Sequence, residues 1–72
     1  MKIKVSILLN TEAYGFESLV KTIRALSRVV QINAITEEVH QYVVETEYAQ
    51  TIKLNLDENP DIVMGVNYES VA

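Results

Sequence analysis

The stretch Lys2-Ile3-Lys4-Val5-Ser6-Ile7-Leu8-Leu9, together with Phe16-Glu17-Ser18-Leu19-Val20-Lys21-Thr22-Ile23-Arg24-Ala25-Leu26 after it, decides the fold class. In the first segment Ile3, Val5, Ile7 and Leu9 alternate with Lys2, Lys4 and Ser6. A period of two with β-branched residues describes a strand buried on one face. Leu8 interrupts the polar side, so that side is expected to be partly covered. From Phe16 the period changes to 3.6. Phe16, Leu19, Val20, Ile23, Leu26 and Val30 fall on one stripe, with Glu17, Lys21, Arg24 and Arg28 opposite. This predicts an amphipathic helix of about four turns lying on a sheet. Gly15 would cost roughly 1 kcal/mol inside a helix, so the helix is expected to start beside it. Glu17 and Lys21 are spaced as a favourable i,i+4 pair.

Beyond the helix, Ile32, Ala34 and Thr36 alternate, and so do Tyr42, Val44, Thr46 and Tyr48, with Glu37-Glu38 as a break between them. A helix over 36–48 is the rival reading. The β-branched and aromatic content of 41–46 favours a strand. Ile52, Leu54 and Leu56 alternate with Thr51, Lys53 and Asn55, which predicts a further strand. Asp57-Glu58-Asn59-Pro60 is the strongest turn signal in the chain. Ile62, Met64, Val66 and Tyr68 then share a face of a last strand, so Leu56 to Ile62 reads as a hairpin, and the tail after Tyr68 is expected to fray. The expected fold class is α+β, in the order β-α-β-β-β. One amphipathic helix packs on a mostly antiparallel sheet of four to five strands, in a single domain spanning residues 1–72.

Length and composition narrow the classes of function. Opening on Met1, the 72-residue chain is expected to be a whole small gene product. It is 49% apolar, with two glycines and one proline, which is the composition of a packed globule rather than a disordered segment. It holds no cysteine, which excludes disulfides and thiolate metal sites. A domain this short makes only a small core, so association with another chain is expected. No apolar run approaches the roughly 18 residues of a membrane span. Val5–Leu9 is too short for the apolar centre of a secretory leader, so a cytoplasmic location is expected. Residues 1–30 carry five Lys or Arg against two Glu, and residues 31–72 carry Lys53 against eight Asp or Glu. Charge asymmetry of this kind bears on association.

The chemistry-bearing residues are few. His40 is the single histidine, and none of Ser6, Ser18, Ser27 or Ser70 stands in the context of an activated nucleophile. Adjacent Glu37 and Glu38 point different ways, and Glu45 and Glu47 would share a strand face. Asp57, Asn59 and Asp61 have the spacing that opens a calcium loop. Ile62 stands where that loop needs Gly, and Tyr68 where it needs Glu. The two glycines lie far apart, so no phosphate cradle forms. No catalytic residue, metal ligand or cofactor is expected.

Three surface features remain. Lys21, Arg24 and Arg28 form a candidate basic helix face, although the overall acidity makes nucleic acid an unfavourable partner. Glu37, Glu38, Glu45, Glu47, Asp57 and Glu58, with Asp61 beside them, form a candidate acidic partner surface. Tyr42 and Tyr48 are candidate interface aromatics on one strand face. The expected function is a non-enzymatic protein–protein interaction or regulatory module, binding itself as a homo-oligomer or another protein. The alternatives are a small acidic inhibitor of a nucleic-acid enzyme, of phage or plasmid type with a phosphate-mimicking surface, and a dimeric small-ligand sensor.

Overall fold

The computed structural model describes residues 2–71. Six elements follow one another: β1 (Ile3–Asn10), α1 (Phe16–Leu26), β2 (Arg28–Ala34), β3 (Val39–Thr46), α2 (Ala49–Asp57) and β4 (Val63–Ser70). The strands form one sheet in the order β2-β3-β1-β4, and every neighbouring pair is antiparallel. β1 and β2 therefore run parallel with β3 between them, and β3 and β4 run parallel with β1 between them. This is the split β-α-β, ferredoxin-like topology. Both helices cover the same face of the sheet.

The class is α+β as expected, but the order β-α-β-β-β is corrected to β-α-β-β-α-β. The segment read as a strand over 51–56 is helix α2. Ile52, Leu54 and Leu56 satisfy a period of two, but Ile52 and Leu56 alone also satisfy i,i+4. Burial separates the readings: Ile52 and Leu56 are buried, whereas Leu54 is 62% exposed. The Lys53 ammonium lies 3.3 Å from the Asp57 carboxylate one turn on. The side-chain amides of Asn55 and Asn59 donate to the carbonyls of Thr51 and Asn55, one turn back. The Asp57–Pro60 turn thus joins a helix to β4 and not two strands of a hairpin.

Helix α1 starts where expected and stops early. Gly15 precedes it with φ +90°, a left-handed backbone that glycine adopts without steric cost. The helix has eleven residues and ends at Leu26, so Arg28 and Val30 lie in β2. Thr46, at the end of β3, is 3% exposed. Its hydroxyl donates to the Leu26 carbonyl at 2.6 Å and accepts the Tyr48 N–H at 2.8 Å, so Tyr48 begins α2 and leaves the strand. At the other end of β3, the Thr36 hydroxyl accepts the N–H groups of Glu38 and Val39 and closes the β2–β3 turn. β4 runs on to Ser70, past the expected fraying point, through Lys4↔Glu69 and Ile3↔Ser70.

The core lies between the sheet and the two helices. It comprises Val5, Ile7 and Leu9 of β1, Tyr42 and Val44 of β3, Leu19 and Ile23 of α1, Ile52 and Leu56 of α2, and Ile62. Phe16 and Tyr42 meet edge to face with centroids 6.3 Å apart. Val63 packs against this core.

Candidate functional site

The open sheet face is ordered by cross-strand register. Arg28 of β2 stands opposite Glu45 of β3, Glu45 opposite Lys4 of β1, and Lys4 opposite Glu69 of β4. One row thus alternates in charge across all four strands, which favours each neighbouring pair. Arg28 and Glu45 are 3.0 Å apart. In a second line, the Gln31 amide donates to Asn33 and the Asn33 amide to Gln41, each at 3.0 Å. Val43 sits between these polar rows, opposite Ser6 and Gln31, and Leu8 stands in line with Gln41. The central strands present Lys4, Ser6, Leu8, Gln41, Val43 and Glu45 there, so the face offers bases no ring to stack on.

The expected basic helix face is dissolved by this arrangement. Lys21 and Arg24 remain on α1, but Arg28 belongs to β2 and is paired with Glu45 across the sheet. The ion pairs among the described residues are Arg28–Glu45 and Lys53–Asp57; Glu17 and Lys21 do not form one. The tyrosine pair is likewise separated. Tyr42 is buried in the core, while Tyr48 is exposed at the start of α2. Glu47 lies beyond the end of β3 and shares no strand face with Glu45.

The candidate acidic residues fall into two groups. Glu45 and Glu47 are at the end of the sheet where β1 begins. Glu37 and Glu38 (β2–β3 turn) and Asp57, Glu58 and Asp61 (α2–β4 connection) lie at the opposite end. Two backbone bonds hold those turns around the end of β1: the Thr11 N–H donates to the Glu38 carbonyl at 2.7 Å and the Asn10 N–H to the Ile62 carbonyl at 2.8 Å. The molecule is therefore electrically polar along its strands. One end holds these five carboxylates, while at the other Glu45, Glu47 and Glu69 are set among Lys2, Lys4, Arg24 and Arg28.

His40 stands between Leu9 of β1 and Ala34 of β2, among apolar strand neighbours. Among the described residues, no three His, Asp or Glu side chains come together as metal ligands. In the calcium-like segment Asp57 is paired with Lys53, and Asn59 turns its amide back onto α2.

The feature that sequence reasoning passed over is the outer flank of β4. Val66 opposes Ile7 and Tyr68 opposes Val5, so both are on the helix-covered side of the sheet. Yet Val66 is 43% and Tyr68 39% exposed, and Met64 is exposed beside them. α2 lies inboard of β4 and leaves this strip uncovered. Between α2 and β4 is a depression of about 230 Å³ lined by Ile3, Ala49, Gln50, Lys53 and Tyr68. Burial there raises the pKa of the Tyr68 hydroxyl, the Asp57 carboxylate raises it further, and Lys53 partly offsets both. The alternation Met64-Val66-Tyr68 was visible in the sequence. Its meaning as an uncovered flank depended on recognising α2.

No helix of the described chain is long and apolar enough to cross a membrane. Compared with family models, curated proteins and solved structures, the chain finds no match in any of the three.

Proposed function

We propose that the protein works by binding, as a small non-enzymatic interaction or regulatory module that associates with itself. The observation that supports this reading most directly is the strip of Met64, Val66 and Tyr68 along β4. Val66 and Tyr68, on the core side of the sheet, stay half exposed there beside the exposed Met64, on an outermost strand whose other flank has no strand against it among the described residues. An open strand edge is a template for pairing with another chain, and strand addition is a common mode of protein recognition. Topology itself implies no activity.

Solution mass by light scattering, across protein concentrations at low and high salt, tests the reading. A dimer that persists in salt supports an apolar interface. A monomer at every concentration overturns self-association.

The gathering of Glu37, Glu38, Asp57, Glu58 and Asp61 at one end favours a second reading, an acidic inhibitor that occupies the basic groove of a nucleic-acid enzyme. On this reading, inhibition of a non-specific nuclease is lost in Glu37→Lys with Glu58→Lys and kept in Glu45→Lys with Glu47→Lys. Inhibition that is absent from the native chain, or unaffected by the first pair, sinks it.

A further inference from the structure

We infer that the outer edge of β4 takes, as a further antiparallel strand, an extended segment of another protein in which apolar residues alternate with polar ones that include Lys or Arg. The inference rests on the binding role proposed above and names for this edge a partner other than a second copy. One edge holds one strand, so the two partners compete for it.

Backbone bonds at both ends of β1 show which groups of β4 are free. The Val71 N–H donates to the Lys2 carbonyl at 3.3 Å, and the Asn10 N–H to the Ile62 carbonyl at 2.8 Å. The Thr11 N–H donates the other way, to the Glu38 carbonyl before β3. Even-numbered residues of β1 therefore turn their N–H and C=O groups towards β4. In an antiparallel pair, opposed residues that exchange bonds alternate with opposed residues that do not. Gly65, Asn67 and Glu69 oppose Leu8, Ser6 and Lys4 and are the bonded ones. Val66, Tyr68 and Ser70 oppose Ile7, Val5 and Ile3. Their N–H and C=O groups point outward, where no strand meets them among the described residues. The register break lies at Met64, before this run, so Gly65–Ser70 is a regular edge.

Opposed residues of paired strands share a face. A segment bonded to Val66, Tyr68 and Ser70 sets its own alternate side chains on the helix-covered side, beside the half-exposed Val66 and Tyr68. The depression of about 230 Å³ lined by Ile3, Ala49, Gln50, Lys53 and Tyr68 lies on that side and receives one of them. Apolar residues suit these positions.

The residues between them lie on the open face, opposite Asn67 and Glu69. Across that face Arg28, Glu45, Lys4 and Glu69 alternate in charge, and the row ends on a carboxylate. A cation opposite Glu69 continues it. β4 has no cation to offer a second copy, because Glu69 is its one charged residue. From Ala49 to Ser70 the chain carries Lys53 against Asp57, Glu58, Asp61 and Glu69, so the flank as a whole attracts a basic segment. The other edge differs on both counts. β2 is broken between Val29 and Gln31, and its regular run, Gln31–Ala34, holds no charge.

The probe is a labelled peptide reading valine, arginine, valine, threonine, valine, capped at both ends. Antiparallel pairing sets its arginine opposite Glu69 and its valines opposite Ser70, Tyr68 and Val66. Fluorescence anisotropy with the full chain at about 0.15 M salt is expected to show binding. A peptide with glutamate for arginine, and a scramble of the same composition, are each expected to bind about tenfold more weakly or worse. Glu69→Lys is expected to reverse the order of the arginine and glutamate peptides. Val66→Pro removes an outward N–H and no bond to β1, a position that an edge strand tolerates. It is expected to keep its circular dichroism and lose the peptide.

The inference is overturned if the arginine peptide does not bind, if the scramble binds as well, or if Glu69→Lys keeps the native order. It is also overturned if a folded Val66→Pro chain binds as the native one does. Should Val66→Pro unfold, the Glu69→Lys comparison decides. Light scattering separates this from self-association. A native dimer that takes no peptide overturns the inference and leaves self-association standing, whereas a monomer that takes no peptide overturns both. A monomer that takes the peptide overturns self-association alone.

Discussion

The Thr46 hydroxyl donates a 2.6 Å hydrogen bond to the carbonyl of Leu26, joining the end of β3 to the last residue of α1. The same oxygen accepts the Tyr48 N–H where α2 begins. One buried side chain therefore ties three elements together. Removing a hydroxyl of this kind leaves a donor and an acceptor unsatisfied, at a cost of about 1–3 kcal/mol. Thr46→Val should lower stability by that amount in urea or thermal melts, while Thr46→Ser should keep most of it. Equal stability of native and Thr46→Val chains would show the hydroxyl to be dispensable.

Helix α2 makes a prediction that a strand over 51–56 does not. On a strand, Ile52, Leu54 and Leu56 would be equivalent. On the helix, Leu56→Ala opens a cavity costing about 2–5 kcal/mol, whereas Leu54→Ala, at a position 62% exposed, falls within roughly 0.5 kcal/mol of the native chain. Denaturant titration of the two variants side by side separates the readings, and equal losses would contradict the helix.

Gly15 lies at φ +90° immediately before α1. A Cβ there would sit 3.5 Å from Ile62 Cδ1, an ordinary contact, so space is not the constraint. The cost of Gly15→Ala is backbone strain, about 1–2 kcal/mol for an L-residue in left-handed geometry. Thermal denaturation should show a lowered midpoint. An unchanged midpoint would mean that the turn relaxes without penalty.

Tyr68 titrates above the ordinary 10.0 because of burial first and the Asp57 carboxylate second. A raised folded-state pKa means that the native chain holds the phenolic proton more tightly than the unfolded chain. The resulting stabilisation is fully present below the unfolded pKa and is lost as pH rises through the folded one. Absorbance titration of the native chain against Tyr68→Phe should isolate the late ionisation of Tyr68. Asp57→Asn should move its midpoint down, and no movement would discount the carboxylate.

The alternation of 3–9 and the 3.6-residue period of 16–26 gave β1 and α1 directly, because each has one buried and one more open face, whereas β3 was legible from its β-branched and aromatic content, Val43 on its other face being buried as well. Val30 prolonged the helical stripe by coincidence, since it also fits the strand in which it lies. The failure at Ile52, Leu54 and Leu56 has a physical cause. Ile52 and Leu56 satisfy both periods and Leu54 only that of a strand, so packing decides whether Leu54 is buried with them. The candidate site followed from the same choice. With a strand at 51–56, β4 pairs within a hairpin. With a helix there, it becomes an edge. The Arg28–Glu45 pair joins residues far apart in sequence, and no local pattern signals it.

β1 is the first strand in the sequence and a central strand of the sheet. Its partners β3 and β4 begin only at Val39 and Val63, and Ile3 finds its place opposite Ser70. As the chain emerges from a ribosome, Val5, Ile7 and Leu9 can pack on Leu19 and Ile23 of α1, but the flank of β1 that takes β4 stays unpaired until Val63–Ser70 has been made. Pairings so distant in sequence slow folding relative to a helical bundle of equal size. Until β4 arrives, the exposed flank of β1 is itself an aggregation hazard.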